Sequence, residues 1–127
     1  MSRGELSAAE RGLKGERLAS RYLRWRGYRV VERNFRCPLG EIDLIVEKRG
    51  MLVFCEVKTR KSKGFAPPYE AVNRGKMMRL ERTAEYWLNA RPRPGQQCRF
   101  DVITVLLGKG KPLLEHLEDA FRPAEVD

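Results

Sequence analysis

The chain has 127 residues, of which 42% are apolar and 34% charged, and its formal net charge is +9. This length suits a single domain, and apolar and aromatic residues recur throughout, which excludes a fully disordered chain. The longest largely apolar stretch, residues 102–107, is far shorter than the roughly 20 residues that span a bilayer. The first twelve residues are polar and lack the apolar core of a signal peptide, so we expect a cytoplasmic protein.

The basic residues carry the main compositional signal. Lys and Arg number 26 against 17 Asp and Glu, and 18 of the 26 are arginine, whose planar guanidinium binds phosphate in a bidentate manner. This excess indicates a polyanionic partner such as DNA, RNA or an anionic membrane surface, although charge alone also suits a soluble basic protein. Cys37, Cys55 and Cys98 form no C-x-x-C pair and are expected to be reduced structural thiols.

The first predicted element is a long helix. Ser7 followed by Glu10 matches a capping box, and Gly27 is a typical stop signal. Three strands are then predicted, at residues 28–36, 41–47 and 51–58. Turns separate them, Cys-Pro-Leu-Gly before the second and Lys-Arg-Gly before the third. The last two strands are apolar on both faces and are predicted to form a central hairpin.

The second half predicts another helix and at least one strand. After a basic loop at 59–68, the helix starts after Asn73, a good N-cap residue, and runs to Asn89. Its apolar stripe comprises Met77, Leu80, Ala84, Trp87 and Leu88, and a basic face off that stripe comprises Lys76, Arg79 and Arg82. Residues 98–107 predict a buried strand, and residues 113–121 either a strand or a short helix. The order α-β-β-β-α-β with a tail predicts a mixed α/β sheet.

Two carboxylates lie inside the predicted hairpin, Asp43 in its first strand and Glu56 in its second. A carboxylate among buried apolar neighbours is costly unless it is paired, hydrogen-bonded or bound to a cation. A pairing register in which residue numbers sum to 99 puts Asp43 opposite Glu56, and a sum of 97 puts them on a diagonal. Both registers place the two carboxylates on one face, which Lys58 shares.

This trio suits metal chemistry. Carboxylate oxygens are hard ligands for Mg²⁺ or Mn²⁺, which stabilises charge on a phosphate and acidifies a water. The Lys58 ammonium suits orienting that water or neutralising a transition state. The alternative is a solvent-facing ion pair.

Glu16 is the one charged residue in an arc of the first helix that also contains Ala9, Gly12, Leu13, Ala19 and Leu23. We expect this arc to pack against the sheet, where a carboxylate needs a partner. A metal site at the sheet is one such partner, and an ion pair with an arginine such as Arg36 is the other.

Other residues are expected to play lesser parts. Asp101 is predicted to support the structure at the second helix, with support of the site as the alternative. Glu41 shares a face with Asp43 and is predicted to support that residue without contacting a metal itself. His116 is the single histidine, predicted to be an ordinary surface or core residue, and no G-x-S-x-G motif is present. Trp87 is expected to be a core residue and not a platform for nucleic-acid bases.

Four segments together carry a resemblance to a known family: GERLASRYLRWRGYRVVERNFRCPLGEIDLIV, LVFCEVKTR, EAVNRGK and RFDVI. In this order and at this separation they resemble the YraN family of uncharacterised predicted endonucleases, over residues 12–121. That family is similar to the PD-(D/E)-x-K superfamily, which includes restriction endonucleases and archaeal Holliday-junction resolvases. The resemblance implies a restriction-endonuclease-like αβββαβ core, a mixed sheet flanked by helices.

The resemblance also implies roles for individual residues. In the superfamily an Asp and a Glu bind divalent metal and a Lys assists attack on the phosphodiester, roles that fall on Asp43, Glu56 and Lys58. The resolvase branch has a Glu in its first helix near the metal, which corresponds to Glu16. Ile42 departs from the pattern, because the motif's name has proline there.

We therefore expect a Mg²⁺- or Mn²⁺-dependent endonuclease that hydrolyses DNA and selects branched or junction structures rather than base sequence. The carbonyl of Val57 and, through water, Glu16 would join the metal ligands. Contacts to backbone phosphates are expected from Arg60, Lys61, Lys63, Lys76 and Arg79. By analogy, a two-fold homodimer would fit a branched substrate. The alternatives are a nucleic-acid-binding module with this fold but no turnover, and a basic protein associated with ribosomes or a membrane surface.

Overall fold

The computed structural model describes residues 6–61 and 74–121. Their elements are α1 (Ala8–Trp25), β1 (Arg29–Cys37), β2 (Gly40–Lys48), β3 (Met51–Arg60), α2 (Arg74–Ala90), β4 (Gln97–Leu106) and β5 (Leu113–Phe121). The strands form one sheet in the order β1-β2-β3-β4-β5. Strands β3 and β4 are parallel, and the other neighbours are antiparallel.

This topology confirms the predicted mixed α/β class and the central hairpin of β2 and β3. The hairpin has the register in which paired residue numbers sum to 99, from Lys48↔Met51 to Leu44↔Cys55. Residues 113–121, for which strand and helix were both open, form a strand. The order αβββαβ, followed by β5, is the one expected of a restriction-endonuclease-like core. In the described ranges, neither helix is long and apolar enough to cross a bilayer.

Helix α1 begins and ends as its sequence predicts. The Ser7 hydroxyl accepts a hydrogen bond from the Glu10 backbone N–H at 3.1 Å, and the Glu10 carboxylate accepts one from the Ser7 N–H at 3.0 Å. These bonds satisfy amides that the first turn leaves without helical partners. Gly27 follows the helix with φ of 95°, in the left-handed region that favours glycine.

The side of α1 that packs on the sheet matches the predicted arc in part, at Ala19 and Leu23, and differs from it at Leu13. Gly15, Ala19, Ser20 and Leu23 are buried, whereas Leu13 is 54% exposed. A Cβ atom on Gly15 would overlap the Oγ1 atom of Thr59 on β3. Helix and sheet are therefore in close contact at Gly15, and Leu13, two positions earlier, lies on the outward side of the helix.

The sheet separates two apolar clusters. The cluster under α1 consists of Ala19, Leu23, Tyr28, Leu44, Val46, Val53, Cys55, Ile103 and Val105. The cluster under α2 consists of Phe35, Ile42, Ile45, Leu52, Phe54, Leu80, Ala84, Trp87 and Phe100. Trp87 is fully buried and its indole N–H donates to Glu32 at 2.9 Å, which confirms its predicted core position. Asn73, the predicted N-cap of α2, lies outside the described residues.

Asp101 organises a buried polar network on the α1 side. Its carboxylate accepts two hydrogen bonds from Arg99, each at 2.8 Å, and one from the Asp119 backbone N–H at 3.0 Å. It also lies 2.7 Å from Nε2 of His116, whose Nδ1 is 3.0 Å from the Tyr22 hydroxyl. Burial opposes ionisation, but the His116 and Arg99 contacts lower the pKa of Asp101. The network ties α1 to β4 and β5, so Asp101 supports the structure as predicted, but at the first helix and not at the second.

Candidate metal site

The side chains of β2 alternate between the two faces of the sheet, and this alternation is interrupted at Asp43. Ile42 packs in the cluster under α2 and Leu44 in the cluster under α1, although two residues apart in a regular strand share a face. On β1, Asn34 lies between the residues that pair with Leu44 and Ile42, and it has φ of 51°. The recorded pairing of β2 with β3 ends at Leu44 and Cys55. Asp43 is thus the first residue of β2 beyond that ladder.

The side chain of Asp43 crosses to β3. Its Oδ2 atom accepts a hydrogen bond from the backbone N–H of Val57 at 2.8 Å. The next residue back, Glu56, is buried with 8% exposure, and its Oε1 atom lies 3.1 Å from the Lys58 ammonium. These residues line one cleft of about 460 Å³, walled on the other side by α2. The structure therefore brings Asp43, Glu56 and Lys58 together, as the hairpin register and the alternation of side chains along each strand predict.

Helix α2 supplies a second cation to the cleft. The Lys76 ammonium lies 2.5 Å from the same Oε1 atom of Glu56 that contacts Lys58. Burial lowers the pKa of Lys76, and the neighbouring Lys58 adds to this, while Glu56 opposes it. Lys76, predicted to flank the site on the basic face of this helix, thus contacts the buried carboxylate of Glu56 directly. The signal available in the sequence was the need of a buried Glu56 for positive partners.

Asp43 is the electrostatically strained member of the site. Burial, reinforced by the negative charges of Glu56, Glu16 and Glu41, raises its pKa to about 7, against the stabilising hydrogen bond from Val57. Within residues 6–61 and 74–121, no Lys or Arg forms an ion pair with Asp43. This carboxylate therefore favours either a proton or a bound cation.

Glu16 approaches Asp43 from the opposite side of the sheet. It lines a second cleft, of about 530 Å³, that α1 forms with β1 and β2 and that also reaches Asp43. The Asn34 amide, oriented to satisfy both groups, donates to the two Glu16 oxygens at 3.1 and 3.3 Å. Burial raises the pKa of Glu16 in spite of this bond. Arg36, the alternative partner, instead pairs with Glu41 at 3.3 Å, where both side chains are exposed.

The remaining predicted contact residues are dispersed. Arg79 lines the cleft of Glu56, as does Glu41, which was predicted to support Asp43. Lys61 is exposed beyond the end of β3, and Arg60 is half-buried there. Lys63 lies outside the described residues. The structure thus gathers the acidic residues and Lys58 closely, and the predicted phosphate contacts only in part.

Residues 15–105 match the model of a family described as "Uncharacterised protein family UPF0102". The chain belongs to this family. A UPF0102 protein of Syntrophomonas wolfei is 45% identical over 112 residues, covering 88% of this chain and 97% of the relative. One of Moorella thermoacetica is 45% identical over 118 residues, covering 91% and 98%. One of Beutenbergia cavernae is 48% identical over 107 residues, covering 84% and 91%.

The donor set of this UPF0102 protein fits a hard divalent cation. In the described part of the chain, no group of three or more His, Cys, Asp or Glu side chains is arranged to hold a metal ion. Mg²⁺ keeps several of its waters and commonly takes only one or two carboxylates from a protein. Asp43 and Glu56 would supply those two. Burial and, after it, the negative charge of Glu56 raise the pKa of Asp43, and a bound cation would stabilise its ionised form.

Proposed function

We propose that this UPF0102 protein is a metal-dependent nuclease that hydrolyses phosphodiester bonds in DNA, with branched DNA as its preferred substrate. One observation carries the proposal: Asp43, Glu56 and Lys58 converge in a single cleft where the β2–β3 ladder ends. The resemblance of EVK and GEIDLI to the PD-(D/E)-x-K pattern assigns nuclease roles to the same three residues.

The metal would be held by Asp43, Glu56 and the carbonyl of Val57, with Glu16 acting through water. When bound, Mg²⁺ or Mn²⁺ would polarise the phosphate and lower the pKa of a water. Glu16 fits a water-mediated role because it shares the surroundings of Asp43 but lines the other cleft.

Other groups of the protein would orient the carboxylate, the attacking water and the phosphate. The Val57 N–H holds the Asp43 carboxylate in one orientation and leaves it further lone pairs for a cation. The Lys58 ammonium, anchored on Glu56, would orient the attacking water and stabilise negative charge on the phosphate. Lys76 and Arg79 on the α2 wall would bind the phosphate oxygens and position the strand.

The test measures cleavage of flapped, four-way and linear DNA with Mn²⁺, with Mg²⁺ and with EDTA. We expect metal-dependent cleavage by the wild type and none by Asp43→Asn, Glu56→Gln or Lys58→Ala. Glu118→Gln, an exposed change on β5, should cleave normally. Mg²⁺ should raise the melting temperature of the wild type and Lys58→Ala, by mass action on the folded state, but not that of the two carboxylate variants. Equal stabilisation of all variants, or no cleavage of any DNA, would refute the proposal.

A non-catalytic nucleic-acid-binding module is the second candidate. It is favoured by the two ammonium groups on Glu56, which already balance that carboxylate without a metal. Calorimetric titration with Mn²⁺ separates the two candidates. A binding module shows no Mn²⁺ uptake at Asp43 and binds DNA equally well in EDTA, whereas the nuclease takes up Mn²⁺ and loses that uptake in Asp43→Asn.

A further inference from the structure

The cleft on the α1 side gathers four arginines. Arg17, Arg21 and Arg24 line it from α1, and Arg33 faces them from β1. The spacing i, i+4, i+7 places the three helical arginines in one row, which extends about 10 Å along the axis at 1.5 Å per residue. The cleft is therefore a basic channel with guanidinium groups on both walls.

The charges of these four arginines are not neutralised by ion pairs within residues 6–61 and 74–121. Ion pairs with carboxylates occupy other arginines of the chain, namely Arg29, Arg36, Arg91, Arg93 and Arg99. Over the described ranges, no carboxylate forms an ion pair with any of the four arginines of the α1 cleft. Unpaired guanidinium groups that converge on one cleft are suited to an external anion with several negative charges.

The cleft leads to the candidate metal site. Asp43 lines both this cleft and the one that contains Glu56, Lys58 and Lys76. The kink of β2 at Asp43 makes this double exposure possible, because it leaves the carboxylate between the two faces of the sheet. A strand lying along the arginines would thus meet Asp43.

We propose that the α1 cleft binds the phosphate backbone of a nucleic-acid strand and guides it to Asp43. This rests on the proposed nuclease function and adds a set of substrate contacts, Arg17, Arg21, Arg24 and Arg33, to those predicted near α2. The row of arginines matches about three phosphates of one strand, which follow one another roughly every 3.4 Å along a duplex axis. A row of charges selects a polyphosphate chain over a single small anion.

The experiment measures binding of fluorescein-labelled flapped DNA in EDTA, where a metal-dependent enzyme does not cut. Arg21→Gln and Arg33→Gln remove one charge from each wall, and Arg49→Gln removes one from the exposed β2–β3 turn as the matched control. We expect each cleft variant to bind about 3- to 10-fold more weakly, with a salt slope lower by about 0.7–0.9, and the control to bind as the wild type does. Trp25, 83% exposed one turn beyond Arg21, should change its fluorescence on binding, and Trp25→Phe should remove that signal.

Each outcome has a distinct meaning. If the wild type binds DNA and both cleft variants bind equally well, the α1 cleft is not the strand site, and the nuclease proposal stands on its own cleavage test. If the wild type binds no DNA at any salt concentration, this inference fails, and the nuclease proposal is decided by its cleavage test with Mg²⁺ or Mn²⁺. If polyglutamate of equal charge displaces the DNA as effectively as unlabelled DNA does, the cleft is a general anion surface and this inference is overturned.

Discussion

Lys76 on α2 and Glu56 on β3 form an ion pair with a distance of 2.5 Å between Nζ and Oε1, inside the cleft that also contains Asp43. The pair joins the second helix to the sheet at the candidate metal site. The ammonium of Lys76 therefore lies where a metal cation would approach Glu56, and it would compete with such a cation.

Lys76→Met should tighten Mn²⁺ binding while lowering stability. Removing the ammonium frees Glu56 for the cation, so we expect Mn²⁺ affinity to rise several-fold in calorimetric titration. In metal-free buffer the free energy of unfolding should fall by about 1–2 kcal/mol, less than for a fully buried pair because Lys58 still contacts Glu56. Arg82→Met, exposed on the same helix, serves as the control. Unchanged Mn²⁺ affinity in Lys76→Met would mean that the pair does not obstruct the site.

The stability of the metal-free protein should depend on Asp43 between about pH 4 and pH 7. Its pKa is about 7 in the folded state against an ordinary value of 3.8, so the folded chain holds this proton more tightly than the unfolded chain. Stability therefore falls as pH rises through this window and levels off above it. Asp43→Asn keeps an oxygen for the Val57 N–H and loses this dependence.

Urea unfolding in EDTA, at pH values from 5 to 8.5, measures the effect. Above pH 7 the Asp43→Asn variant should be more stable than the wild type by at most about 4 kcal/mol, the equivalent of the shift in the pKa of Asp43. The difference should shrink towards pH 5. Two parallel stability curves would show that Asp43 carries no such strain.

Glu16→Gln should weaken Mn²⁺ binding without harming the fold. Burial raises the pKa of Glu16, so removal of its charge does not destabilise the protein. If Glu16 serves the metal through water, the loss of its charge lowers Mn²⁺ affinity in calorimetric titration. Identical titrations for wild type and variant would leave Glu16 with a purely structural part, as the hydrogen-bond partner of Asn34.

Two glycines of α1 should respond in opposite directions to alanine. A Cβ on Gly15 would overlap Oγ1 of Thr59 and would lie only 3.0 Å from its Cβ and 3.2 Å from its Cγ2, so rotating Thr59 brings no relief. Gly15→Ala should destabilise the protein by about 1–3 kcal/mol. A Cβ on Gly12 meets nothing within 4 Å, so Gly12→Ala should stabilise it by about 0.5–1 kcal/mol through helix propensity. Urea unfolding of both variants checks this, and a stabilised Gly15→Ala would contradict the close packing of α1 on β3.

Local signals in the sequence were sufficient to predict most helices and strands and the proximity of Asp43, Glu56 and Lys58. The Ser7–Glu10 capping box and Gly27 predict the ends of α1 because capping is settled by residues three or four positions apart. The short Lys-Arg-Gly turn restricts the register of the β2–β3 hairpin, and period-two alternation then predicts that Glu56 and Lys58 share the neighbourhood of Asp43. The membership of the UPF0102 family also follows from the sequence alone.

Only the tertiary structure decided how the helices face the sheet and what lies beside the acidic residues. The rotation of α1 is set by contact of Gly15 with Thr59, which no periodicity within the helix records, and so Leu13 is exposed. Lys76 turns inward because Glu56, twenty positions earlier, is buried and needs positive charge. The kink at Asp43 lies beside Asn34 of the adjacent strand, whose φ is positive. These are contacts between elements distant in sequence, and their free energy, not local propensity, fixes which side chains reach the site.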